Sequence, residues 1–372
     1  MIDLSVEVDG LKFDNPFVIG SGPPGSNAQC MIRAFEDGWG GVVCKTLSLD
    51  SSKVINVAPR YARVSSSADP KDKKAIYGFE NIELISDRPF KDWVDDFKRV
   101  KDKFPGKPLI CSIMEEHRKD AWQEIVERCQ EAGVDSFELN LSCPHGLPER
   151  KMGMAMGENP DIVEEVCGWV MEKAKVPVWA KMTPNVGHIT DPAGAAFRAG
   201  CQGVSAINTI LSVMSVDLDT LRPQPDVEGH TVPGGYSCKA VRPIALRMCM
   251  EITRAFPGKT LSGIGGVETG EDAAQFILLG ASTVQVCTGV MLHGYKMVKD
   301  MKTQLAAFME KHEFERVSRF MGHSLQYFTT HADLVARQQA AKVKKTLEKD
   351  ADWKGDQFVD QADALTRAKV QG

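Results

Sequence analysis

The sequence lacks the cysteine spacing from which metal and iron–sulfur sites are built. Its ten cysteines stand at positions 30, 44, 111, 129, 143, 167, 201, 238, 249 and 287, and no two of them have C-x-x-C spacing. Zinc sites and iron–sulfur clusters need grouped thiolates. We therefore expect no metal and no iron–sulfur cluster in this chain. Several cysteines, such as Cys44 and Cys287, lie in apolar runs, which is typical of small buried side chains in a reducing compartment.

An excess of basic charge and a long apolar run are also missing. The formal net charge of -5 gives no electrostatic reason to expect nucleic acid or an anionic membrane as a partner. No apolar stretch approaches the length of a transmembrane helix. The first five residues have neither the basic region nor the apolar core of a signal peptide. We expect a cytoplasmic protein that binds neither nucleic acid nor membrane.

Short apolar runs alternate with helical patterns along most of the chain. Eight runs read as strands, namely Pro16–Gly20, Gly41–Thr46, Leu109–Met114, Ser136–Ser142, Val176–Met182, Gly203–Thr209, Leu261–Gly266 and Thr283–Val290. The helical patterns include Ala121–Glu131, Ile162–Lys175, Ala193–Ala199, Arg242–Ala255, Glu271–Leu279 and Tyr295–Lys311. This alternation predicts an α/β fold, a closed (β/α)8 TIM barrel more than an open doubly wound sheet.

Other segments are predicted to lie outside the barrel. The pattern of Leu4–Phe13 indicates an N-terminal hairpin that turns at Asp9-Gly10, and we expect it to cover the amino-terminal end of the barrel. Two long stretches, Leu47–Asn81 and Ile210–Tyr236, show no helical pattern. Beyond about residue 320 the sequence becomes polar and rich in Ala, Gln and Lys. We assign residues 1–320 to the barrel and residues 321–372 to a polar, helical C-terminal extension.

Two groups of glycines are candidates for a phosphate site. Gly20–Gly25 matches G-x-G-x-x-G, but two prolines inside it remove backbone donors that a dinucleotide would need. Ser262–Gly266 ends the seventh strand and Cys287–Gly289 ends the eighth, and these two loops often bind phosphate in barrels. Gly235, on the long stretch before the next helix, can add a further backbone donor. We therefore place the phosphate at the later loops.

Polar side chains gather at the predicted strand ends. Asn140, Ser142 and Cys143 belong to the run Asn140–Gly146, and Asn208 ends another strand. Carboxyl ends of parallel strands meet at one edge, where ligands bind. A primary amide donates and accepts hydrogen bonds, so several converging amides suit a planar cyclic imide.

Two lysines, Lys45 and Lys181, each end a predicted strand. A lysine that points into the top of a barrel needs an anionic partner or a polar ligand to offset its desolvation. A reduced flavin, which is negative around N1 and O2, would provide one. A structural salt bridge is the alternative for each lysine.

Together these motifs resemble a known family. Asn140–Gly146, Phe79–Ser86, Lys45-Thr46, Ala206–Thr209 and Ser262–Thr269 are similar to the catalytic barrel of dihydropyrimidine dehydrogenases, nearest to the catalytic subunits of the bacterial NAD-dependent type. They resemble class 1 dihydroorotate dehydrogenases more distantly. The similarity extends from about Leu4 to about Met309. The resemblance implies an FMN-binding barrel that interconverts uracil or thymine with the 5,6-dihydro form.

The resemblance also implies roles for individual residues. Cys143 would be the general acid that protonates C5 during reduction. The pyrimidine pocket would be lined by Asn81, Glu83, Asn140, Ser142, Asn208 and Thr209. FMN would be held by Gly20, Ser21, Lys45, Thr46, Lys181, Gly235, Gly265, Gly266, Cys287 and Thr288. Ser21 and Thr46 rest on the resemblance alone.

One departure from the family concerns electrons. Its members usually carry cysteine-rich iron–sulfur motifs, and this chain has no cysteine after Cys287. We therefore expect a separate electron-donating reductase subunit, with a soluble reductant as the alternative, and we expect a homo-oligomer. Two other functions stay open: a dihydroorotate dehydrogenase, against which the carboxylate of Glu83 argues weakly, and a flavin-binding partner subunit without its own turnover.

Overall fold

Eight parallel strands close into a barrel. The structure is a computed structural model and describes residues 2–69, 71–143 and 152–344. Each barrel strand pairs in parallel with the next one along the chain, and the last pairs with the first. The strands are β1 (Phe17–Ile19), β2 (Gly41–Val43), β3 (Leu109–Ile113), β4 (Ser136–Asn140), β5 (Val178–Lys181), β6 (Gly203–Ala206), β7 (Thr260–Ile264) and β8 (Thr283–Val286). The predicted (β/α)8 barrel is confirmed.

A long helix follows each strand and covers the outside of the barrel. These helices are α1 (Ala28–Asp37), α2 (Phe90–Lys103), α3 (Lys119–Glu131), α4 (Pro160–Met171), α5 (Thr190–Arg198), α6 (Arg242–Ala255), α7 (Gly270–Leu278) and α8 (Met297–Lys311). In α2 the buried side chains are Phe90, Trp93, Phe97 and Val100, the spacing of one helical face. Two short helices, Met154–Gly157 and Thr288–His293, precede α4 and α8. The predicted eighth strand therefore ends early, because its last residues begin a helix.

The two long stretches without helical pattern form one antiparallel sheet, which we call the roof sheet. Its strands are, in spatial order, Ile210–Ser212, Gly234–Ser237, Ile76–Asn81 and Tyr61–Ser65. The first two of these strands pair within the second stretch, and the last two pair within the first stretch. The central pairing, between Gly234–Ser237 and Ile76–Asn81, joins the two stretches. A separate hairpin, Ser215–Asp217 with Arg222–Gln224, lies within the second stretch.

The chain divides into two compact units, one ending at Leu325 and the other beginning at Gln326. The predicted boundary after residue 320 lies close to this division. In the second unit the structure describes the helix His331–Lys344, whose side chains as far as 340 are mostly exposed. Among the described residues, no helix combines the length and the apolar composition that a membrane span requires.

The N-terminal hairpin is tied to the barrel by one carboxylate. Val6–Val8 pairs with Leu11–Phe13, and the turn residue Asp9 has a φ of 50°. Asp9 accepts hydrogen bonds from Trp179 Nε1 at 2.7 Å and from Thr260 Oγ1 at 2.9 Å. Both donors lie near the amino-terminal ends of their strands, so the hairpin covers that end of the barrel, as expected.

This geometry predicts the effect of removing one acceptor. Asp9→Asn keeps the side-chain shape and tolerates the positive φ, but an amide group replaces one oxygen and leaves one donor without a partner. We expect the free energy of unfolding, measured by urea denaturation, to fall by about 1–3 kcal/mol. Glu7→Gln removes a charge from an exposed position of the same hairpin and should change it by less than about 0.5 kcal/mol. Equal effects in the two variants would contradict the role of Asp9.

Candidate active site

A cavity lies at the carboxyl ends of the barrel strands, beside the roof sheet. It contains about 1120 Å³ of space not filled by protein atoms, part of it open to solvent. Lys45, Asn140 and Lys181 line it from strand ends, and Phe79 and Tyr236 line it from the roof sheet. The cavity therefore stands where barrels bind ligands.

A chain of hydrogen bonds joins the polar side chains at four strand ends. Thr46 Oγ1 lies 3.2 Å from Ser21 Oγ and accepts a hydrogen bond from Asn140 Nδ2 at 2.9 Å. Asn208 Nδ2 lies 2.8 Å from Ser142 Oγ and 3.3 Å from Asn140 Oδ1. Residues separated by up to 187 positions are thus held in one polar row, which fixes the orientation of the two amides.

Cys143 sits at the edge of this row. It lines the cavity, and only 7% of its surface is exposed. Ile85, Met114 and Met152 form a small apolar cluster with it. The next residues of the predicted motif, Pro144, His145 and Gly146, lie outside the described residues.

Lys45 is paired with a carboxylate that arrives from the roof sheet side. Lys45 Nζ lies 2.8 Å from Glu83 Oε2, and Arg60 Nε lies 3.2 Å from Glu83 Oε1. The hydroxyl of Tyr61 donates a hydrogen bond to Glu83 Oε2 at 2.9 Å. Burial first, and then the charge of Glu83, raise the pKa of the Tyr61 phenol, while Arg60 acts in the opposite direction.

Lys181 is paired with a carboxylate inside the barrel. Its Nζ lies 3.2 Å from Glu138 Oε1, and the two side chains are 5% and 0% exposed. Glu138 Oε2 accepts hydrogen bonds from Ser205 Oγ at 2.7 Å and from Gln285 Nε2 at 2.8 Å. Both predicted lysines therefore line the cavity and form the salt bridge that was one alternative, whereas contact with a flavin stays a prediction.

The two glycine loops meet on the far side of the cavity. Gly265 and Gly266 have φ values of 143° and 70°. A Cβ atom on Gly266 would lie 2.7 Å from the carbonyl oxygen of Cys238, so only glycine fits there. The hydroxyls of Ser237 and Thr288 lie 2.9 Å apart in the same wall. Small residues, hydroxyls and turned backbone are the features of an anion cradle.

A second thiol, Cys287, lines the same wall. A Cβ atom on Gly22 would lie 2.5 Å from Cys287 Sγ, so the first loop passes against this sulfur. Burial raises the pKa of the Cys287 thiol to about 11, although Lys181 and Lys45 act in the opposite direction. At neutral pH this thiol is therefore uncharged.

Most of the residues predicted from the sequence line the cavity. Those that do are Ser21, Lys45, Thr46, Asn81, Glu83, Asn140, Cys143, Lys181, Asn208, Thr209, Gly265, Gly266, Cys287 and Thr288. Three lie beside it without lining it: Gly20, whose Cβ position faces Ile264; Ser142, which bonds Asn208; and Gly235, whose carbonyl accepts from Asn81 at 3.3 Å.

Sequence reasoning missed several residues around the cavity. Arg60 and Tyr61 lie on the roof sheet side, in a stretch that shows no strand signal in the sequence. Glu138 did carry a signal, because it lies two residues before Asn140 and so on the same face of β4. Within the described residues, no group of three or more His, Cys, Asp or Glu side chains is arranged to hold a metal ion.

Comparisons with known proteins agree on one family. The model of the dihydroorotate dehydrogenase family matches residues 3–309. The Arabidopsis thaliana protein named dihydropyrimidine dehydrogenase (NADP(+)), chloroplastic, is 55% identical, over 98% of this chain and 88% of its own length. The Escherichia coli K12 protein named NAD-dependent dihydropyrimidine dehydrogenase subunit PreA is 40% identical, over 86% of this chain and 76% of its own. The catalytic subunit of dihydroorotate dehydrogenase B (NAD(+)) from Pyrococcus abyssi is 32% identical, over 87% and 99%.

The raised pKa of Tyr61 predicts a dependence of stability on alkaline pH. The folded protein keeps the phenol protonated, whereas the unfolded chain ionises it near pH 10. The stability that Tyr61 contributes is therefore complete below about pH 10 and is lost as the pH rises above that value. Denaturant unfolding at about pH 8 and about pH 11 should show a larger loss for the wild type than for Tyr61→Phe. An equal loss of the free energy of unfolding in the wild type and in Tyr61→Phe would contradict the raised pKa of the Tyr61 phenol.

Proposed function

The chain belongs to the dihydroorotate dehydrogenase family, and we propose that it is an FMN-dependent oxidoreductase that interconverts uracil or thymine with their 5,6-dihydro forms. The observation that carries this proposal is the cavity itself. It combines two buried lysines, a row of amides, a thiol and a glycine-lined anion cradle at the carboxyl end of one barrel. The names of the plant and Escherichia coli relatives support the choice of pyrimidine.

The residues fit FMN on structural grounds. Gly265 and Gly266 line the cavity with turned backbone, and the hydroxyl-bearing Ser237 and Thr288 line the same cavity, which is the kind of donor set that a phosphate cradle uses. Gly265, Gly266, Cys287 and Thr288 would hold the phosphate. Ser21, Thr46, Lys45 and Lys181 would contact the ring, with Gly20 and Gly235 shaping the walls. When bound, FMN supplies hydride transfer to and from C6 of the pyrimidine.

The amides would bind and orient the pyrimidine. Hydrogen bonds to Thr46 and Ser142 hold the side chains of Asn140 and Asn208 in place. These amides are therefore already ordered before the substrate binds, and binding does not have to order them. Asn81, Ser142 and Thr209 complete this set, and Glu83 would approach the ring from the roof sheet side. Donor and acceptor groups then alternate along the pocket, as the edge of a cyclic imide does.

Cys143 would hold and transfer the proton at C5. A thiol with an ordinary pKa near 8.5 is protonated at neutral pH and can still release its proton. Ile85, Met114 and Met152 pack around this thiol at the edge of the cavity. Cys143 therefore suits the role of general acid during reduction and of general base in the reverse direction.

A dihydroorotate dehydrogenase is the alternative function, and the Pyrococcus abyssi relative supports it. The sequence argument against it was repulsion between Glu83 and the carboxylate of orotate. Lys45 and Arg60 neutralise Glu83, so this repulsion is weaker than the sequence alone suggests. The third possibility, a flavin-binding partner subunit without turnover, conflicts with the buried Cys143 and the ordered amides.

The names of the two dihydropyrimidine dehydrogenase relatives point to different electron donors. The Escherichia coli relative is named a subunit, which favours a separate reductase for this chain as well. The plant relative is not named a subunit, carries NADP(+) in its name and is matched over 88% of its length, which favours a soluble nicotinamide. We propose the separate reductase, no iron–sulfur cluster in this chain, a cytoplasmic location and a homo-oligomer.

One anaerobic experiment tests substrate and donor on the same bound flavin. Dihydrouracil should bleach the flavin absorbance of the purified protein promptly, and dihydroorotate should not. NADH or NADPH alone should bleach it slowly or not at all if a reductase subunit is missing. Prompt bleaching by dihydroorotate would replace the proposed substrate, and prompt bleaching by NADPH would replace the proposed partner.

A second experiment tests the thiol. Cys143→Ala should bind FMN and pyrimidine almost normally and lose turnover by about 10²–10⁴-fold, the usual range for general acid–base catalysis. Cys143→Ser should recover little at neutral pH, because a hydroxyl is far less acidic. Cys30→Ala, which removes a thiol outside the cavity, is the control and should keep turnover. Wild-type turnover in Cys143→Ala would assign the proton to another group.

A further inference from the structure

A fully buried carboxylate lies in the barrel beneath the cavity. Glu138, on β4, is 0% exposed, and both of its oxygens are engaged. One bonds Lys181 on β5, and the other bonds Ser205 on β6 and Gln285 on β8. Side chains from three other strands therefore converge on one negative charge, and of these Lys181 and Gln285 also line the cavity.

Stability does not account for this arrangement. The interior of a barrel is usually filled by branched apolar side chains, and replacing a buried ion pair by apolar residues is often neutral or stabilising. Gln285 also directs Nε2 to Glu138 and to Ser262, while its Oε1 has no partner among the described residues. Gln285 thus donates to Glu138 although its own carbonyl oxygen, Oε1, has no partner among the described residues. This orientation indicates that the network serves to stabilise the negative charge of Glu138.

The anion acts on the ammonium group of Lys181. This lysine ends its strand at the floor of the cavity, with 5% of its side chain exposed. Glu138 draws Nζ toward the barrel interior and balances its charge. Lys45 differs, because its carboxylate, Glu83, is shared with Arg60. Of the two lysines, Lys181 is therefore the one whose positive charge is balanced by a carboxylate that, in the described part of the chain, forms no salt bridge with a second cation.

We propose that Glu138 is a positioning residue that fixes the Lys181 ammonium group and limits how strongly this lysine stabilises reduced flavin. The proposal rests on the proposed FMN site. A cation near N1 and O2 favours the anionic reduced form, and a carboxylate 3.2 Å from that cation offsets part of its field. Lys181 and Glu138 therefore set the flavin potential in opposite directions.

Potentiometry on the FMN-loaded protein tests this opposition. Glu138→Gln keeps the shape and removes the charge, so the ratio of affinities for reduced and oxidised FMN should rise about tenfold, which is about 30 mV for two electrons. Lys181→Met should lower the same ratio. Ser205→Ala removes one hydrogen bond to Glu138 but keeps its charge, and it should change the ratio far less than Glu138→Gln does. An unchanged or lower potential in Glu138→Gln would overturn the proposal.

A thermal unfolding cycle without added FMN gives an independent measure. Glu138→Gln alone and Lys181→Met alone each leave one buried charge without its partner. The double variant, which combines the two substitutions, removes both charges. The double variant should unfold at a higher temperature than the less stable single variant, and this holds even if Glu138→Gln binds no flavin. Additive losses would overturn the pairing. If the wild type binds no FMN, the proposed function fails, and this cycle still decides whether Glu138 and Lys181 are coupled.

Discussion

The burial of positive charge is the constraint on which this site depends. Lys45 and Lys181 stand at the carboxyl end of the barrel with little solvent around them, and a buried ammonium group is unfavourable without an anion nearby. Each lysine meets this requirement with a carboxylate of different origin. Glu138 belongs to the barrel itself, whereas Glu83 follows the roof sheet strand Ile76–Asn81. The cavity can therefore keep two cations in place before any anionic ligand binds.

The roof sheet adds a wall to the cavity at the open end of the barrel, and the cavity stays partly open to solvent. Its strands come from the loops after β2 and after β6, and they pair with each other across the barrel mouth. This pairing brings Tyr61 and Glu83 over Lys45, and it brings Ser237 against Thr288. Loops on a rigid barrel commonly carry specificity, so the roof sheet is where we expect contacts that select the substrate.

The two thiols of the cavity illustrate how position decides chemistry. Cys143 lies among apolar side chains at the end of the amide row, and Cys287 lies against the first loop, near both lysines. Burial keeps Cys287 protonated despite the cations, because desolvation is the larger effect. The thiol of Cys287, close to two cations, is thus not a reactive thiolate.

The sequence by itself determined the barrel and most of the site. Eight apolar runs with helical patterns between them can close only by parallel pairing, and a parallel barrel brings every strand end to one rim. For that reason Asn140, Lys181 and Gly266 could be grouped without coordinates. The predicted strands were too long, because an apolar run does not show where hydrogen-bonded pairing stops. The eighth strand, for example, ends at Val286 and not at Val290.

Only the tertiary structure decided which charges meet. Arg60 and Tyr61 lie in a stretch without strand signal, and they reach Glu83, the partner of Lys45, because Tyr61–Ser65 pairs with Ile76–Asn81 in the roof sheet. Glu138 and Gln285 are separated by 147 positions and meet because both face the barrel axis. Sequence patterns indicate which face a side chain occupies, but an ion pair depends on distances of a few ångströms, which are set only when the barrel closes and the roof sheet pairs.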